Sequence, residues 1–447
     1  ISQVEWVKVV SSTTRNQTLF GVIDEDGDIL FNVLNVSTGA WMNNWVDDSN
    51  IGTTYDGQRG FDIAVEQTTG DFVVVYENST SADRYLRSKV WNGTAWNSLE
   101  TINFTLSVAA EQQLFIVMAS KPNTEEIMMA SAGTSDDISV ARWNGTNWTV
   151  NIPNITLTAA AIDYERFSIA YESLSGDAML VWGEGTTLAN YSIFSNTTQT
   201  WSAGKQIRNR TAVVQQVQLC SDPESDYIGA ILGPDAAADV LAVIWNGTDW
   251  LNSEPFEEDA AEMVSTINAD CSWTKNTSTA LFSYVDSNAL DFRFFTYNKT
   301  LNNWTCPTNN SIVLNLTKTM NAGGPCNETV NMMSDDIEEL RSFSDPNSNN
   351  ILFVGFDLQF DTEIFLFNGT NITQGLNGNM WLENNTQWIT STEPSYFDWV
   401  RYNPGGGPSW GVAGYGEIGE APRWRFWNST DFGIEQNSSE LGAGAIF

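Results

Sequence analysis

Short apolar runs separated by small polar breaks recur along the chain. Residues Phe61–Val65 alternate apolar and polar side chains, as in a half-buried strand, and residues 72–76 form a continuous apolar run. The polar segment 68–71 separates the two. The same order returns at Phe167–Tyr171 and 178–182. This pattern predicts pairs of antiparallel strands joined by tight turns.

One phrase, Trp-Asn-Gly-Thr-x-Trp, punctuates these strand pairs. Its three full copies start at Trp91, Trp143 and Trp245. Five weaker copies start at Asn35, Asn196, Asn298, Phe367 and Trp427. Asn-Gly is a strong hairpin signal, because a type I′ turn needs positive φ at both central residues and these two residue types tolerate it. The strands around the turn, residues 85–91 and 95–102 in the first full copy, are therefore predicted to be the third and fourth of each repeat.

Eight copies of one hairpin predict eight repeats of one supersecondary unit, spaced roughly 50 to 60 residues apart and about 70 across one insertion. The sequence therefore predicts an all-β fold, an eight-bladed β-propeller of four-stranded antiparallel blades, with residues 1–447 as one domain. The predicted blades cover 1–52, 58–106, 108–157, 160–208, 212–257, 261–326 with the insertion, 328–380 and 384–440. Aromatic residues on both sides of each turn are expected to pair across the strands. A β-helix and a string of small sandwiches are the alternatives.

The repeated phrase resembles the aspartate-box hairpins of sialidase-like propellers, in which a small polar turn is followed by Gly and Trp. It also resembles the W-N-G-T repeats of large secreted propeller proteins from archaea and bacteria. The resemblance covers almost the whole chain, and it implies the propeller fold and a cell-surface glycoprotein of archaeal type. It transfers no catalytic residue, because the few basic residues contain no set of arginines that matches the sialidase triad.

Composition narrows the classes of partner. With 42% hydrophobic and 12% aromatic residues, the chain can bury a large core. Its 20 Lys and Arg against 55 Asp and Glu give a net charge of -35, which repels nucleic acids and anionic membranes. The longest apolar stretch, 228–245, is interrupted by Asp235 and Asp239, so no direct membrane span is expected. Because the chain opens at Ile1 without a signal segment, we expect a processed product or part of a longer protein.

The four cysteines predict two disulfides. Cys220 and Cys271 precede the hairpins of consecutive repeats by similar distances, so we expect them to bridge the inner strands of adjacent blades. Cys306 and Cys326 flank the insertion and are expected to close it. A zinc site is the alternative, but the chain has no CxxC spacing and no histidine. Two disulfides predict an oxidising, extracellular location at the cell surface.

Acceptor sites for N-linked glycans number roughly 23, against about nine expected from composition. Turn chemistry explains the Asn-Gly-Thr copies but not the acceptors outside the repeats. The sequence therefore predicts a dense glycan coat on the outer rim. The predicted sites are Asn16, Asn35, Asn78, Asn92, Asn103, Asn144, Asn154, Asn196, Asn209, Asn246, Asn276, Asn298, Asn315, Asn327, Asn368, Asn384, Asn428 and Asn437.

Little in the sequence indicates catalysis. The absence of histidine removes the Ser-His-Asp and Cys-His nucleophiles. Paired carboxylates remain possible, because a central funnel could hold two acids at the separation that glycosidases use. The candidates on or near inner strands are Asp62, Glu66, Asp163, Glu165 and Asp270, and no pair among them stands out.

The segment 24–28 resembles the acidic core of a calcium loop. Asp24, Asp26 and Asp28 alternate, and Gly27 allows a sharp bend, so calcium is the one cofactor the sequence offers. The distal glutamate of such a loop is missing, and Asp-Gly is itself a good hairpin turn.

Three classes of function follow. We expect first a non-enzymatic structural glycoprotein, a subunit or module of a cell-surface layer, sheath or filament that self-associates. A carbohydrate-binding or adhesion propeller is the alternative, and a glycoside hydrolase or lyase with paired carboxylates is the second. In an assembly, a terminus such as residues 442–447 could pair as a strand with a neighbouring subunit, and a frayed end is the alternative.

Overall fold

The structure is a computed structural model. It describes residues 4–24, 27–47, 59–77, 85–103, 113–133, 137–150, 155–156, 164–184, 188–209, 213–234, 240–251, 269–286, 291–305, 308–309, 318–319, 327–331, 337–346, 348–357, 362–374, 397–402, 410–415, 423–427 and 436–437. Within these ranges the regular elements are strands, and they form eight sheets. The sheets belong to two compact units, Ile1–Asp163 with Ser395–Phe447, and Tyr164–Pro394.

The first three sheets lie in the first unit and run as antiparallel meanders in chain order. The first contains β1 (Val4–Ser11), β2 (Gln17–Asp24), β3 (Ile29–Asn35) and β4 (Ala40–Asp47). The second contains β5 (Phe61–Val65), β6 (Phe72–Glu77), β7 (Tyr85–Trp91) and β8 (Glu100–Asn103). The third contains β9 (Gln113–Ser120), β10 (Glu126–Gly133), β11 (Asp137–Asn144), β12 (Trp148–Val150) and β13 (Ile155–Thr156).

The next four sheets lie in the second unit. The fourth contains β14 (Phe167–Tyr171), β15 (Ala178–Gly183), β16 (Leu188–Ser195), β17 (Thr200–Trp201) and β18 (Lys205–Asn209). The fifth contains β19 (Val214–Ser221), β20 (Ile228–Pro234) and β21 (Leu241–Trp245). The sixth contains β22 (Ala269–Trp273), β23 (Thr279–Asp286), β24 (Asp291–Asn298), β25 (Asn303–Thr305), β27 (Lys318–Thr319) and β28 (Asn327–Asn331). The seventh contains β26 (Thr308–Asn309), β29 (Ile337–Ser344), β30 (Ile351–Asp357), β31 (Thr362–Phe367) and β32 (Asn371–Gln374).

The eighth sheet belongs to the first unit and contains β33 (Phe397–Tyr402), β34 (Trp410–Tyr415), β35 (Arg423–Trp427) and β36 (Gln436–Asn437). Seven sheets thus have at least four strands, whereas the fifth has three. The predicted count of eight four-stranded blades is therefore wrong for the described residues, which show seven. The residues after Leu251, where a fourth strand of the fifth sheet was expected, lie outside the described ranges.

The insertion that follows the sixth hairpin supplies strands to two sheets. Strand β28 pairs antiparallel with β24, through the register Phe292↔Val330. Strand β26 pairs parallel with β32 of the seventh sheet. Of the outer strands of the sixth sheet, β25 and β27 lie within the range 261–326 that the repeat spacing indicates, and β28 begins one residue after it.

The hydrophobic core lies between neighbouring sheets. Val75 and Leu86 of the second sheet share one apolar cluster with Ile116 and Met129 of the third, and all four are fully or almost fully buried. Gly21 allows a close approach of this kind, because a Cβ there would stand 2.5 Å from the ring of Phe61. Burial on both faces explains why the second strands are continuous apolar runs rather than alternating ones.

The full W-N-G-T copies form hairpins, but the predicted type I′ turn is wrong. Positive φ falls on glycine alone, at +94° in Gly93, +92° in Gly145 and +93° in Gly247. The side chain of the preceding asparagine closes the turn instead: Oδ1 of Asn92 accepts the backbone N–H of Thr94 at 3.0 Å and of Ala95 at 2.9 Å. With its side chain satisfied in this way, asparagine needs no left-handed backbone.

Three weaker copies form a longer turn. Asn35 pairs with Ala40 and Asn298 with Asn303 across strands, and the equivalent pair in the fourth sheet is Ser195 with Thr200. The structural equivalent of the first asparagine is therefore Ser195, and the alignment of Asn196 with the repeat was wrong by one residue.

The predicted pairing of aromatic side chains across the hairpins is confirmed. The paired rings have centroids between 5.0 and 5.6 Å apart, in tilted or edge-to-face arrangements. The pairs are Trp91–Trp96, Trp143–Trp148, Phe194–Trp201, Trp245–Trp250 and Tyr297–Trp304. Each pair buries apolar area and favours one register of the hairpin.

Candidate functional site

Two of the candidate carboxylates tie adjacent inner strands together. Asp62 on β5 accepts the N–H of Met118 on β9 through Oδ2 at 2.7 Å, and Lys8 on β1 approaches its Oδ1 at 3.5 Å. Asp270 on β22 makes the same kind of contact, since its Oδ2 accepts the N–H of Ser342 on β29 at 2.8 Å. Both acids therefore satisfy main-chain donors of the next sheet, which is a structural use.

Burial raises the pKa of Asp270 to about 6, and the guanidinium of Arg341 and the N–H donors of Ser342 and Cys271 oppose that shift. The unfolded chain ionises this carboxyl near its ordinary value of 3.8, before the folded protein does. The free energy of unfolding that depends on Asp270 is therefore highest below pH 4, falls as the pH rises towards 6 and is constant above that.

An Asp270→Asn variant measures this effect. We expect the stability of the wild type relative to the variant to fall by at most about 3 kcal/mol between pH 4 and 6, since each pKa unit corresponds to about 1.4 kcal/mol. Denaturant unfolding of both proteins across this pH range gives the difference. A difference that stays constant, or that grows with pH, contradicts the assignment.

Glu66 and Glu172 bind tryptophans of the next sheet. Glu66 accepts the indole N–H of Trp143 at 2.7 Å, and Glu172 accepts that of Trp245 at 2.6 Å. Burial raises the pKa of both carboxyls, while the hydrogen bonds from a neighbouring hydroxyl and from the indole lower it. These contacts reach across 77 and 73 residues of sequence, so each tryptophan of a full W-N-G-T copy is held by the sheet before it.

The remaining candidates do not complete a catalytic pair among the described residues. Glu165 accepts the side-chain N–H of Gln218 at 2.9 Å. Asp163 lies outside the described residues. The described partners of the other four candidate acids thus include amides, one indole, hydroxyls, a lysine and an arginine.

Glu66 and Glu172 belong to a second repeat, a six-residue turn between the first two strands of a sheet, which we call the first turn. Its first residue donates a backbone N–H to the carbonyl of its sixth at 2.8–2.9 Å in seven sheets. The seven first turns are residues 12–17, 66–71, 121–126, 172–177, 222–227, 274–279 and 345–350. The hairpin repeat does not predict this motif, although its fourth position is Ser or Thr in six of the seven copies.

The hydroxyl at the fourth position stabilises the first turn. Thr69 donates to the carboxylate of Glu66, Ser175 to Glu172 and Ser225 to Asp222. The same oxygen accepts the N–H of the sixth residue, as Ser175 does from Asp177 at 3.1 Å. One short side chain thereby satisfies a buried acid and a main-chain donor together.

The fifth position of the first turn binds the turn of the preceding sheet. Asp226 accepts the N–H groups of Leu174 and Ser175 through Oδ1 at 2.7 and 2.8 Å. Asn349 accepts the N–H of Asn276 at 2.7 Å in the same way. The first turns are therefore linked to one another as well as to the tryptophans.

In the sixth sheet, a lysine takes the role that tryptophan has in the full W-N-G-T copies. The sixth sheet has Tyr297 where the full copies have their first tryptophan, and Lys299 of its hairpin donates instead to Asp222, whose side chain is 1% exposed. Lys299 also donates to Ser225 at 3.0 Å. An ion pair thus takes the place of the indole–carboxylate hydrogen bond between the fifth and sixth sheets.

The predicted disulfide between inner strands is confirmed. Cys220 on β19 and Cys271 on β22 are bonded, with an S–S distance of 2.09 Å and Cα atoms 5.7 Å apart. The bond joins the fifth and sixth sheets. Cys306 and Cys326 lie outside the described residues, so their bridge stays a prediction.

The calcium hypothesis stays a prediction. Asp26 and the side chain of Asp24 lie outside the described residues, and Asp28 follows Gly27, whose φ is +78°. Within the described residues no group of three or more acidic or cysteine side chains is arranged to hold a metal ion. No helix in the part of the chain that is described is long and apolar enough to cross a membrane.

The predicted glycan acceptors differ in exposure. The exposed ones are Asn16, Asn92, Asn103, Asn144, Asn276 and Asn368. The half-buried ones are Asn35, Asn196, Asn246 and Asn298. For Asn78, Asn154, Asn209, Asn315, Asn327, Asn384, Asn428 and Asn437, the residue or its side chain lies outside what the structure describes.

No protein-family model matches the chain, and no curated protein matches it. Among solved structures, it is similar to the Dos1 propeller, with 8% identity and a TM-score of 0.52 over 96% of this chain and 93% of that one. It also matches an uncharacterized protein from Listeria monocytogenes EGD-e, with 10% identity and a TM-score of 0.41 over 79% and 92%. A lectin from Aleuria aurantia in complex with Fucα1-6GlcNAc matches with 10% identity and a TM-score of 0.39 over 71% and 95%.

The repeated antiparallel sheets and the likeness to the Dos1 propeller define the class of protein. The chain is an all-β propeller with four-stranded antiparallel blades. This confirms the fold class that the hairpin repeat predicts. At 8% identity the likeness shows the fold alone, and function has to be argued from the residues.

Proposed function

We propose that the chain is a non-catalytic extracellular glycoprotein, a rigid propeller block of a cell-surface layer, sheath or filament. The observation that carries the proposal is the geometry of the glycan acceptors in the W-N-G-T hairpins. Oδ1 of Asn92 accepts three hydrogen bonds, from the N–H and hydroxyl of Thr94 and the N–H of Ala95, at 2.9–3.0 Å. Because Oδ1 accepts these three hydrogen bonds, the turn does not use Nδ2 of this exposed side chain.

The other full copies repeat this arrangement. Oδ1 of Asn144 accepts two N–H groups at 2.9 Å, and Oδ1 of Asn246 accepts the N–H and hydroxyl of Thr248. In each full copy the hydrogen bonds of the turn are thus made to Oδ1, and the turn does not use the acceptor nitrogen. This geometry suits a residue that carries a large, solvated substituent.

The internal use of the other candidate groups supports a structural role. Three of the carboxylates that could have formed a catalytic pair, Asp62, Glu66 and Asp270, bind main-chain N–H groups or an indole of the next sheet. The first tryptophans of the full W-N-G-T hairpins are buried. The Cys220–Cys271 disulfide supports an oxidising location outside the cell. A net charge of -35 supports a soluble, mutually repelling surface that needs specific contacts to assemble.

Glycopeptide mass spectrometry of the protein from its natural source tests the acceptor geometry. We expect glycan mass at Asn92, Asn144 and Asn246. We expect lower occupancy at Asn196, whose Nδ2 already donates to the carbonyl of Ser175 at 3.0 Å. Bare peptides at all three hairpin sites would refute this part of the proposal.

A matched pair of variants separates the glycan from the turn. Asn144→Asp removes the acceptor nitrogen and retains an oxygen for the N–H groups of Thr146 and Asn147, whereas Asn144→Ala removes both. We expect both variants to lose glycan mass at this site. Only the alanine variant should lower the free energy of unfolding, by about 1 kcal/mol.

Electron microscopy of the native material tests the assembly. Ordered sheets, tubes or filaments are expected from a surface building block. If the protein stays monomeric at high concentration with all three hairpin sites glycosylated, the glycoprotein part of the proposal stands and the assembly part is refuted.

A carbohydrate-binding propeller is the second candidate, and the half-exposed outer tryptophans favour it. Trp148, Trp201 and Trp250 each pack against an inner ring and keep part of their surface in solvent, where a sugar ring could stack. Retention on a glycan array that is lost on replacing these tryptophans with alanine would support this candidate. Retention by the variants equal to that of the wild type would remove it.

A further inference from the structure

Arg166 is a buried cation that the described residues leave without a partner. The residue is 6% exposed, and its Nε is shielded from solvent without a hydrogen bond. No ion pair or hydrogen bond joins its guanidinium to any residue that the structure describes. Burying a charged group without a partner is strongly unfavourable, and the chain has 55 acidic residues from which a structural partner could have been drawn.

The backbone around Arg166 is fixed on both sides. Its N–H donates to the carbonyl of Tyr164 at 2.9 Å, and its carbonyl accepts the N–H of Gly183 at 2.8 Å. The carbonyl of the preceding Glu165 accepts the N–H of Val217 on β19 at 3.1 Å. The arginine thus sits at the start of the inner strand β14, at the junction of the fourth and fifth sheets.

Buried polar side chains lie on both strands of this junction, alongside an apolar cluster that includes Val214 and Val217 of β19. Gln215 and Gln216 on β19 and Ser168 on β14 are buried there, at 8%, 5% and 4% exposure. The nearest carboxylate in sequence, Glu165, accepts a hydrogen bond from Gln218 at 2.9 Å. A buried polar set of this kind is costly unless its members are satisfied.

The repeat does not require an arginine at this position. Six residues before the first turn, the first three sheets have Trp6, Gly60 and Phe115, where the fourth sheet has Arg166. Arg59, one position earlier in the second sheet, has its guanidinium 4.3 Å from the centre of the Trp6 ring. The fourth sheet therefore has a charged group for which the described residues show no partner.

We propose that Arg166 is the anchor of an oxyanion-binding site at the junction of the fourth and fifth sheets. A guanidinium presents parallel N–H donors that fit two oxygens of a carboxylate or a sulfate. The buried glutamines Gln215 and Gln216 lie on β19, the inner strand of the next sheet. The ligand is an oxyanion, either a free inorganic anion or the carboxylate of an acidic sugar.

Calorimetric titration distinguishes the two sources. The probes are sodium sulfate and sodium glucuronate, with glucose as the neutral control, and sodium chloride keeps the ionic strength near 0.15 M so that the net charge is screened. We expect the folded wild type to bind at least one anion and not glucose. Binding of both identifies a general oxyanion site, and binding of glucuronate alone identifies an acidic-sugar site.

The variants test the residue. Arg166→Gln should lower the affinity at least tenfold, whereas Lys205→Gln, which removes an exposed charge in the same unit, should leave it unchanged. Binding by Arg166→Gln equal to that of the wild type overturns the proposal. So does a folded wild type that binds neither anion.

A second measurement covers a variant that fails to fold. Arg166→Lys keeps the charge and loses the paired donors, so its melting temperature should rise less with glucuronate than that of the wild type. Sulfate stabilises proteins in general through exclusion from their surface, so its effect is compared with the same concentration on Lys205→Gln. Equal shifts in the wild type and Arg166→Lys overturn the proposal.

Discussion

Replacing Trp245 with alanine is expected to lower the free energy of unfolding by about 4 kcal/mol, the range for a buried tryptophan in a packed core. The side chain is 3% exposed and packs against Tyr191 with centroids 5.6 Å apart. Its removal also leaves the carboxylate of Glu172 without the indole N–H that it accepts at 2.6 Å. The shift of the unfolding midpoint in guanidinium chloride measures the loss.

Two phenylalanine variants separate the hydrogen bond from the packing. Trp245→Phe keeps a ring but removes the donor to Glu172, so about 1–3 kcal/mol should be lost. Trp250→Phe removes an indole N–H that has no hydrogen-bond partner in the described part of the chain, so a smaller loss is expected. If both variants lose equally, the contact with Glu172 contributes nothing beyond ring burial.

Removing the Cys220–Cys271 disulfide is expected to cost a similar amount. The bond closes a loop with a sequence separation of 51 residues, for which the loss of unfolded-state freedom corresponds to about 4 kcal/mol. The double variant Cys220→Ser, Cys271→Ser should therefore unfold at a clearly lower denaturant concentration than the wild type.

Reductant serves as the control for this variant. The wild type contains two further cysteines, so reductant alone could act at either pair. If the inner-strand bond dominates, reductant should lower the midpoint of the wild type almost to that of the double variant. An unchanged midpoint in the double variant under oxidising conditions would show that the bond contributes no stability.

The fold class could be predicted because its signal is local. The turn at Asn92 and Gly93 is closed by contacts within four residues, so each copy can be recognised from its own short stretch of sequence. The inner-strand disulfide followed from the same repeat, since equivalent positions in consecutive repeats become neighbours in space. The predicted turn type was wrong because the side chain of Asn92 closes the turn with hydrogen bonds, and only Gly93 has a positive φ.

The use of the acids could not be predicted, because their partners are distant. Glu66 precedes Trp143 by 77 residues, and nothing in its immediate sequence shows that an indole will reach it. Asp62 accepts the main-chain N–H of Met118. Because almost every residue has such a donor, the sequence does not show which one a carboxylate will bind. Arg166 was missed for the opposite reason, since it lies outside every repeated phrase.

The exchange of tryptophan for lysine at the sixth sheet has a consequence for the order of the repeats. Asp222 faces Lys299 where Glu172 faces Trp245, so the donor in each of these two hairpins is matched to the acid of the sheet before it. A gene in which these repeats had been shuffled would still encode every hairpin, yet it would place donors against the wrong acids. The sequence therefore specifies the order of the fourth, fifth and sixth sheets as well as the fold of each, because Trp245 and Lys299 each have their matching acid in the sheet before.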